Sequence, residues 1–200
     1  MDRFAALIIA LAFCFMPAAY AETTAVTNNE AALYNLPASI LIDEFAAPKP
    51  GSDFDTLGDS GIVLDGIWYP IMRRFDDLKA ALGEPRAIAL TECDAHPDYY
   101  DKEFVYDFGS VFTHPIDGID VWCELYISSS DLKTSRGIGI GSTLEDVTVA
   151  YGNKCYVEAE YIYVYSRSGA EKDYASPSIA FEIVKGAVAS LTIHYPVFEQ

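Results

Sequence analysis

Apolar residues recur along this chain with two different spacings. Phe75, Leu78, Ala81 and Leu82 follow the 3.6-residue period of a helix, and Gly83 with Pro85 ends the run, which predicts a helix over Met72–Leu82. Farther on, Ser142 stands three residues ahead of Glu145, a Ser-x-x-Glu capping box. Leu144, Val147 and Tyr151 form the stripe behind it and Gly152 the stop, which predicts a second helix. The two stretches superpose. Phe75-Asp76-Asp77-Leu78 through Ala81-Leu82-Gly83 matches Leu144-Glu145-Asp146-Val147 through Ala150-Tyr151-Gly152 at a constant offset of 69 residues.

The second spacing is the two-residue alternation of strands. Phe104, Tyr106 and Phe108 share one face of a strand over Glu103–Phe108, and Tyr161, Tyr163 and Tyr165 share one face of another. A hairpin of Val111–His114 and Ile119–Ile127 around Pro115–Gly118 follows the first stripe, and one of Ile179–Val184 and Ala187–Tyr195 around Lys185-Gly186 follows the second. Earlier, Ile62-Val63-Leu64 and Ile67-Trp68-Tyr69 flank Asp65-Gly66, the dipeptide of a type I′ hairpin. Ser39–Phe45 reads as a short strand, and Ala46–Ser60, with Pro48, Pro50, Gly51 and Gly58, as loop. The expected fold is α+β: two tandem units, each a helix plus a three-stranded antiparallel meander, with the helices packed on one face of adjoining sheets. The units span 62–133 and 134–200, after a signal peptide over 1–21 and a leader and loop over 22–61.

The export reading comes from the first residues. Arg3 precedes an apolar run over Phe4–Phe15, and Ala19-Tyr20-Ala21 places small residues where a signal peptidase needs them, so cleavage is expected after Ala21. That run falls short of the roughly 20 residues of a membrane-spanning helix. Cys14 follows bulky Phe13, which argues against lipid modification. The protein is expected in the periplasm or the medium, where Cys93, Cys123 and Cys155 could form one bridge and leave one thiol over, in any of three pairings. Alternation places Cys123 with Val121, Leu125 and Ile127 as a small buried hydrophobe.

Charge narrows the partners. The 200 residues carry 30 Asp and Glu against 13 Lys and Arg, a net charge of -17, so the surface repels nucleic acid and anionic membranes.

The run Thr134-Ser135-Arg136-Gly137-Ile138-Gly139-Ile140-Gly141-Ser142-Thr143-Leu144-Glu145-Asp146-Val147, closed by Ala150-Tyr151-Gly152, resembles the T-x-x-G-I-x-I-G-x-T-x-x-D-V-x-x-x-Y-G signature of exported bacterial proteins built from tandem helix-plus-meander units. These are similar to the SmpA/OmlA outer-membrane lipoproteins and to the β-lactamase-inhibitor-protein-like fold. Leu78–Pro85 is a degenerate first copy. The resemblance covers the layout of about residues 62–195 and implies a fold and a tendency to bind proteins. The chain departs from the lipoproteins in having no anchoring cysteine.

Candidate chemistry is sparse. Gly137–Ser142 ahead of a helix has the look of a phosphate cradle, but no P-loop lysine follows, and Ile138 and Ile140 alternate as a buried strand would. Cys93, Asp94, His96 and Asp98, with His114 beyond, could ligate a metal, although their spacing matches no established site and His194 stands alone on its strand. Asp53, Asp55 and Asp59 faintly suggest calcium, yet Leu57 and Leu64 occupy ligand positions of an EF-hand, so a solvated acidic loop is expected. There is no G-x-S-x-G, and Ser128-Ser129-Ser130-Asp131 reads as a turn. The chain is therefore read as non-enzymatic and without cofactor.

The aromatic stripes remain. All but one of the 14 Tyr follow the signal peptide, and Tyr favours interfaces. Phe104 and Phe108 are expected in the core, while Tyr161, Tyr163 and Tyr165, with Tyr106, are the candidate binding residues, a platform turned away from the helices. The expected role is an exported module that binds a protein, with the net charge favouring a basic one. The alternatives are an inhibitor of a secreted enzyme, or a small metal-binding protein or enzyme using the Cys93 to His114 region.

Overall fold

The computed structural model describes residues 37–92, 100–129, 131–171, 173 and 175–197. Strands β1 (Ile40–Leu41), β2 (Gly61–Leu64), β3 (Ile67–Pro70) and β8 (Lys133–Thr134) form a four-stranded antiparallel sheet in the order β1-β3-β2-β8. A second sheet holds β4 (Ala87–Glu92), β5 (Tyr100–Val105), β6 (Gly109–Ile116) and β7 (Ile119–Ile127). Its other four strands are β9 (Tyr156–Glu158), β10 (Ile162–Ser166), β11 (Ser178–Val184) and β12 (Ala187–His194). Their order is β4-β5-β6-β7-β12-β11-β10-β9, antiparallel throughout. The helices are short: α1 (Thr56–Asp59), α2 (Phe75–Leu82) and α3 (Leu144–Tyr151). The protein is thus α+β but predominantly β.

Several expectations need correction. The units are not three-stranded and do not lie on adjoining sheets: four strands follow α2 and four follow α3 within one continuous sheet, joined where β7 pairs with β12. The Ile62–Tyr69 hairpin belongs to the separate small sheet, and Ser39–Phe45 is a two-residue strand followed by a 3-10 turn. The first helix starts at Phe75 rather than Met72. In the second, Thr143, one residue past Ser142, is the cap: its hydroxyl accepts from Asp146 N–H at 3.1 Å and the Asp146 carboxylate accepts from Thr143 N–H at 2.8 Å. Ser142 Oγ accepts instead from Gly139 N–H at 3.2 Å. Gly137–Ser142 is a tight turn with Ile138 buried, and only an isolated bridge pairs Gly139 with Lys133.

The two helices match in detail. Each ends on a glycine in the positive-φ region, Gly83 at φ 84° and Gly152 at φ 76°, whose N–H donates at 2.8 Å to Lys79 O and to Thr148 O. Ahead of α2, Met72 N–H donates to Trp122 O and Trp122 N–H to Arg73 O. Ahead of α3, Gly141 N–H donates to Val188 O and Val188 N–H to Ser142 O. Gly141 has φ 87°, and Met72, its counterpart, is held at φ 59°, a region that costs a non-glycine residue.

The core follows from register. Phe104, Val111, Leu125, Ile193, Ile179 and Tyr165 are successive cross-strand partners from β5 to β10, all buried on one face. Both helices pack there, Phe75 against Phe104 at a centroid distance of 4.4 Å and Tyr151 against Phe181 at 5.3 Å. A register shift between Phe112 and Thr113 sends Trp122 into the core, 1% exposed, and leaves Cys123 only half-buried. Its thiol donates to Phe112 O at 3.6 Å.

An ion pair ties the loop before β2 to α3. Arg136 Nε and Nη2 grip Asp59 Oδ1 and Oδ2 at 2.7 and 2.6 Å with both side chains buried. Arg136 Nη1 also donates to Ala150 O at 2.7 Å, and the guanidinium lies over the Tyr151 ring. Burial pushes the Asp59 carboxyl above its ordinary value although Arg136 pulls it down. Asp55 caps α1 and Asp53 pairs with Lys154, both exposed to solvent as expected of this loop, and Asp59 alone departs from that expectation by being buried.

Candidate functional site

The tyrosine stripe lies on the helix side of the sheet. Tyr165 is 1% exposed and in contact with Tyr151, and its hydroxyl donates to Gly152 O at 3.1 Å. Tyr163 pairs with Phe181, shares the helix face and is partly buried against the core. Tyr106 is buried and stacks on Phe108, and burial pushes its hydroxyl up to about 12. Of the four candidates only Tyr161 is exposed, at 38%. The four do not converge on a platform turned away from the helices. Phe104 is core as expected and Phe108 packs partly buried against it.

The opposite face has a different composition. Its central row runs Glu103, Phe112, Glu124, His194, Ser178 and Ser166, each the cross-strand partner of the next. The neighbouring row runs Val105, Ser110, Tyr126, Thr192, Ala180 and Val164. Glu182 and Ser190 face each other beyond it. Val164 and Ile162 are buried at the β10 end, so the face is polar in its middle and apolar toward that edge.

Three carboxylates on this face are held in place. Ser110 Oγ donates to Glu103 Oε1 at 2.7 Å and Ser190 Oγ to Glu182 Oε2 at 2.6 Å. Between them, where β7 meets β12, Glu124 Oε2 lies 2.8 Å from His194 Nδ1, and Glu124 is 1% exposed. Glu124 Oε1 accepts no hydrogen bond, an uncompensated desolvation at the centre of the face. Nearer β4, Asp101 Oδ1 meets His114 Nδ1 at 2.8 Å.

Glu124, His194 and Ser178 have the residue types of a proton relay. Ser178, however, is 7% exposed and no hydrogen bond joins it to His194, so the row lacks an activated hydroxyl open to a substrate. Among the described residues no three His, Cys, Asp or Glu side chains cluster as a metal site. Cys93, Asp94, His96 and Asp98 lie outside the described residues, while His114 is committed to Asp101. Cys123 and Cys155 are not in a disulfide. No described helix is long and apolar enough to cross a membrane.

No family model, curated protein or solved structure matches this chain.

Glu103, Glu182 and the Glu124–His194 pair escaped the sequence reading because acids are abundant and the three Glu are far apart in sequence. One signal was present: Glu124 and Glu182 are each flanked by apolar residues inside a predicted strand, and Glu103 opens one ahead of Phe104. That marks the face opposite the apolar core side of each strand.

Proposed function

We propose that this protein is an exported, non-enzymatic binding module that takes a basic protein partner on the carboxylate-bearing face of its eight-stranded sheet. The observation that carries this is the pair of half-buried carboxylates on β5 and β11, Glu103 and Glu182, each fixed by a neighbouring serine before any partner arrives and flanking the buried Glu124–His194 pair. Carboxylates so held lose little side-chain entropy on binding, and a net charge of -17 speeds the approach of a cation-rich surface. Export rests on the Arg3, Phe4–Phe15 and Ala19-Tyr20-Ala21 pattern. We further infer that the two helix-led halves are tandem copies. The 69-residue offset of α2 and α3, their glycine stops and their paired hydrogen bonds to β7 and β12 support this.

Capture of proteins from the host's envelope and secreted fractions tests the reading, with wild type and the Glu103→Lys, Glu182→Lys double variant run side by side. Both positions are half-buried, and the thermal melt of the variant serves as the folding check. A basic protein retained by the wild type and lost by the folded variant is the expected result. Equal retention by both refutes the assignment of the face.

A further inference from the structure

We propose that β4 is a self-association edge, on which a second copy of this chain adds its own β4, antiparallel, about a two-fold axis at Ala89. β4 is one margin of the eight-stranded sheet, and all six of its residues are exposed, with Ile88 at 52% and Leu90 at 59%. Edge strands are ordinarily blunted by lysine, proline, a bulge or brevity. Ala87-Ile88-Ala89-Leu90-Thr91-Glu92 has no Lys or Pro, and its register with β5 runs unbroken from Ala87 opposite Val105 to Glu92 opposite Tyr100. The other margin, β9, is three residues long. Among the described residues, β4 therefore presents an unpaired row of backbone donors and acceptors beside two exposed aliphatic side chains.

Self-complementarity selects the occupant. When two copies of one strand join across a two-fold axis perpendicular to the sheet, residues on the same face must oppose one another, so the axis passes through a residue. With the axis at Ala89, Ile88 meets the partner's Leu90, Leu90 meets the partner's Ile88, and Ala87 meets the partner's Thr91. The same register sets Arg86, one residue before the strand, against the partner's Glu92, and this ion pair occurs twice. Centring on Ile88 would set Leu90 against the partner's Arg86 and Glu92 against the partner's Glu84. Centring on Leu90 would set Ile88 against the partner's Glu92. Of these three centres only Ala89 matches apolar with apolar and cation with anion. Within its own chain Arg86 meets Asp107, but that pair is 71% and 72% exposed and can rearrange at small cost.

Two copies of charge -17 repel at long range, while the edge itself is locally neutral, with one Arg and one Glu each. Shortening the Debye length to about 8 Å at physiological salt therefore favours the pair.

Sedimentation of the full chain, purified as its host processes it, over a range of concentration and salt tests this. A reversible monomer–dimer equilibrium that tightens from low to physiological salt is expected. Leu90→Lys should weaken it by roughly tenfold or more. Arg86→Glu should weaken it as well, and Arg86→Glu combined with Glu92→Arg should restore it to within about threefold of wild type. Amide exchange on the unaltered chain gives a second readout, with residues 88–91 slowing as concentration rises. A monomer at every concentration and salt, assembly into open chains, a dimer indifferent to Leu90→Lys, or a charge swap that fails to restore association would each overturn the proposal.

Discussion

Helices α2 and α3 start and stop 69 residues apart, yet they are not held alike. α3 is secured by polar contacts at both ends: the Thr143–Asp146 box at its start, and Arg136 with Gly51 N–H on Ala150 O in its last turn. α2 begins on Arg74, whose side chain makes no cap, and is fixed by Phe75 and Leu78, 2% and 1% exposed. Where α3 is preceded by Gly141, α2 is preceded by Met72, buried and bent into the same positive-φ conformation. An eight-residue helix is too short to persist alone, so tertiary packing must supply the difference. Val147 and Tyr151 anchor α3 as Phe75 and Leu78 anchor α2, so the two copies share the apolar anchor and differ in the polar cap that only α3 adds.

The largest expected effects come from removing each helix's anchor. Arg136→Ala leaves Asp59 buried without its cation and should cost about 3–5 kcal/mol, read by denaturant unfolding. Phe75→Ala should cost a similar ~3–5 kcal/mol by opening a cavity between α2 and β5, whereas Leu144→Ala, at the equivalent but half-buried position of α3, should cost clearly less.

A smaller pair of substitutions sharpens the comparison from the other side. Thr143→Ala should cost about 1 kcal/mol. Arg74→Thr should gain up to about 1 kcal/mol, because Asp77 already stands three residues on and completes the box that α2 lacks, while only an exposed pair with Asp76 is lost. A thermal melt of both variants checks the opposite signs.

The pH dependence separates the exposed cap of α3 from the buried tyrosines of both halves. Hydrogen bonds from the Thr143 hydroxyl and N–H hold the Asp146 carboxyl below its ordinary value of 3.8. The cap's contribution is thus present above about pH 3.8 and fades as the pH falls through the lowered folded value. The difference between wild type and Asp146→Asn should vanish in acid. Tyr106, Tyr151 and Tyr165 behave in the opposite sense. Burial raises all three hydroxyls above 10.0, so their contribution is intact below pH 10 and is lost as the pH rises through the folded values, about 12 for Tyr106. Tyrosinate absorbance for these residues should appear only together with unfolding.

The same contrast explains what was legible in the sequence. α3, with its box, stripe and glycine stop, could be placed to within a residue, and the Asp65-Gly66 and Lys185-Gly186 turns fell where a polar residue followed by glycine lets both adopt the positive φ of a two-residue hairpin. β4 was missed because Ala87–Thr91 shows no polar alternation, and β9 because three residues carry no period. The tyrosines were assigned to the wrong face because alternation tells which residues share a side of a strand but not which side the helices cover. Tyr165 looked amphipathic enough for an interface, but its hydroxyl is satisfied inside by Gly152 O. The register shift at Phe112 likewise has no local sequence signature, yet it decides that Trp122 rather than Val121 or Cys123 fills the core.

The proposed partner meets the face opposite the helices. Carboxylate footprinting of the chain, free and bound to its captured partner, tests this most directly. Protection of Glu103 and Glu182, with Asp76, Asp77 and Glu145 on the helices left reactive, is the predicted result. Protection of the helix carboxylates with Glu103 and Glu182 unchanged would contradict it.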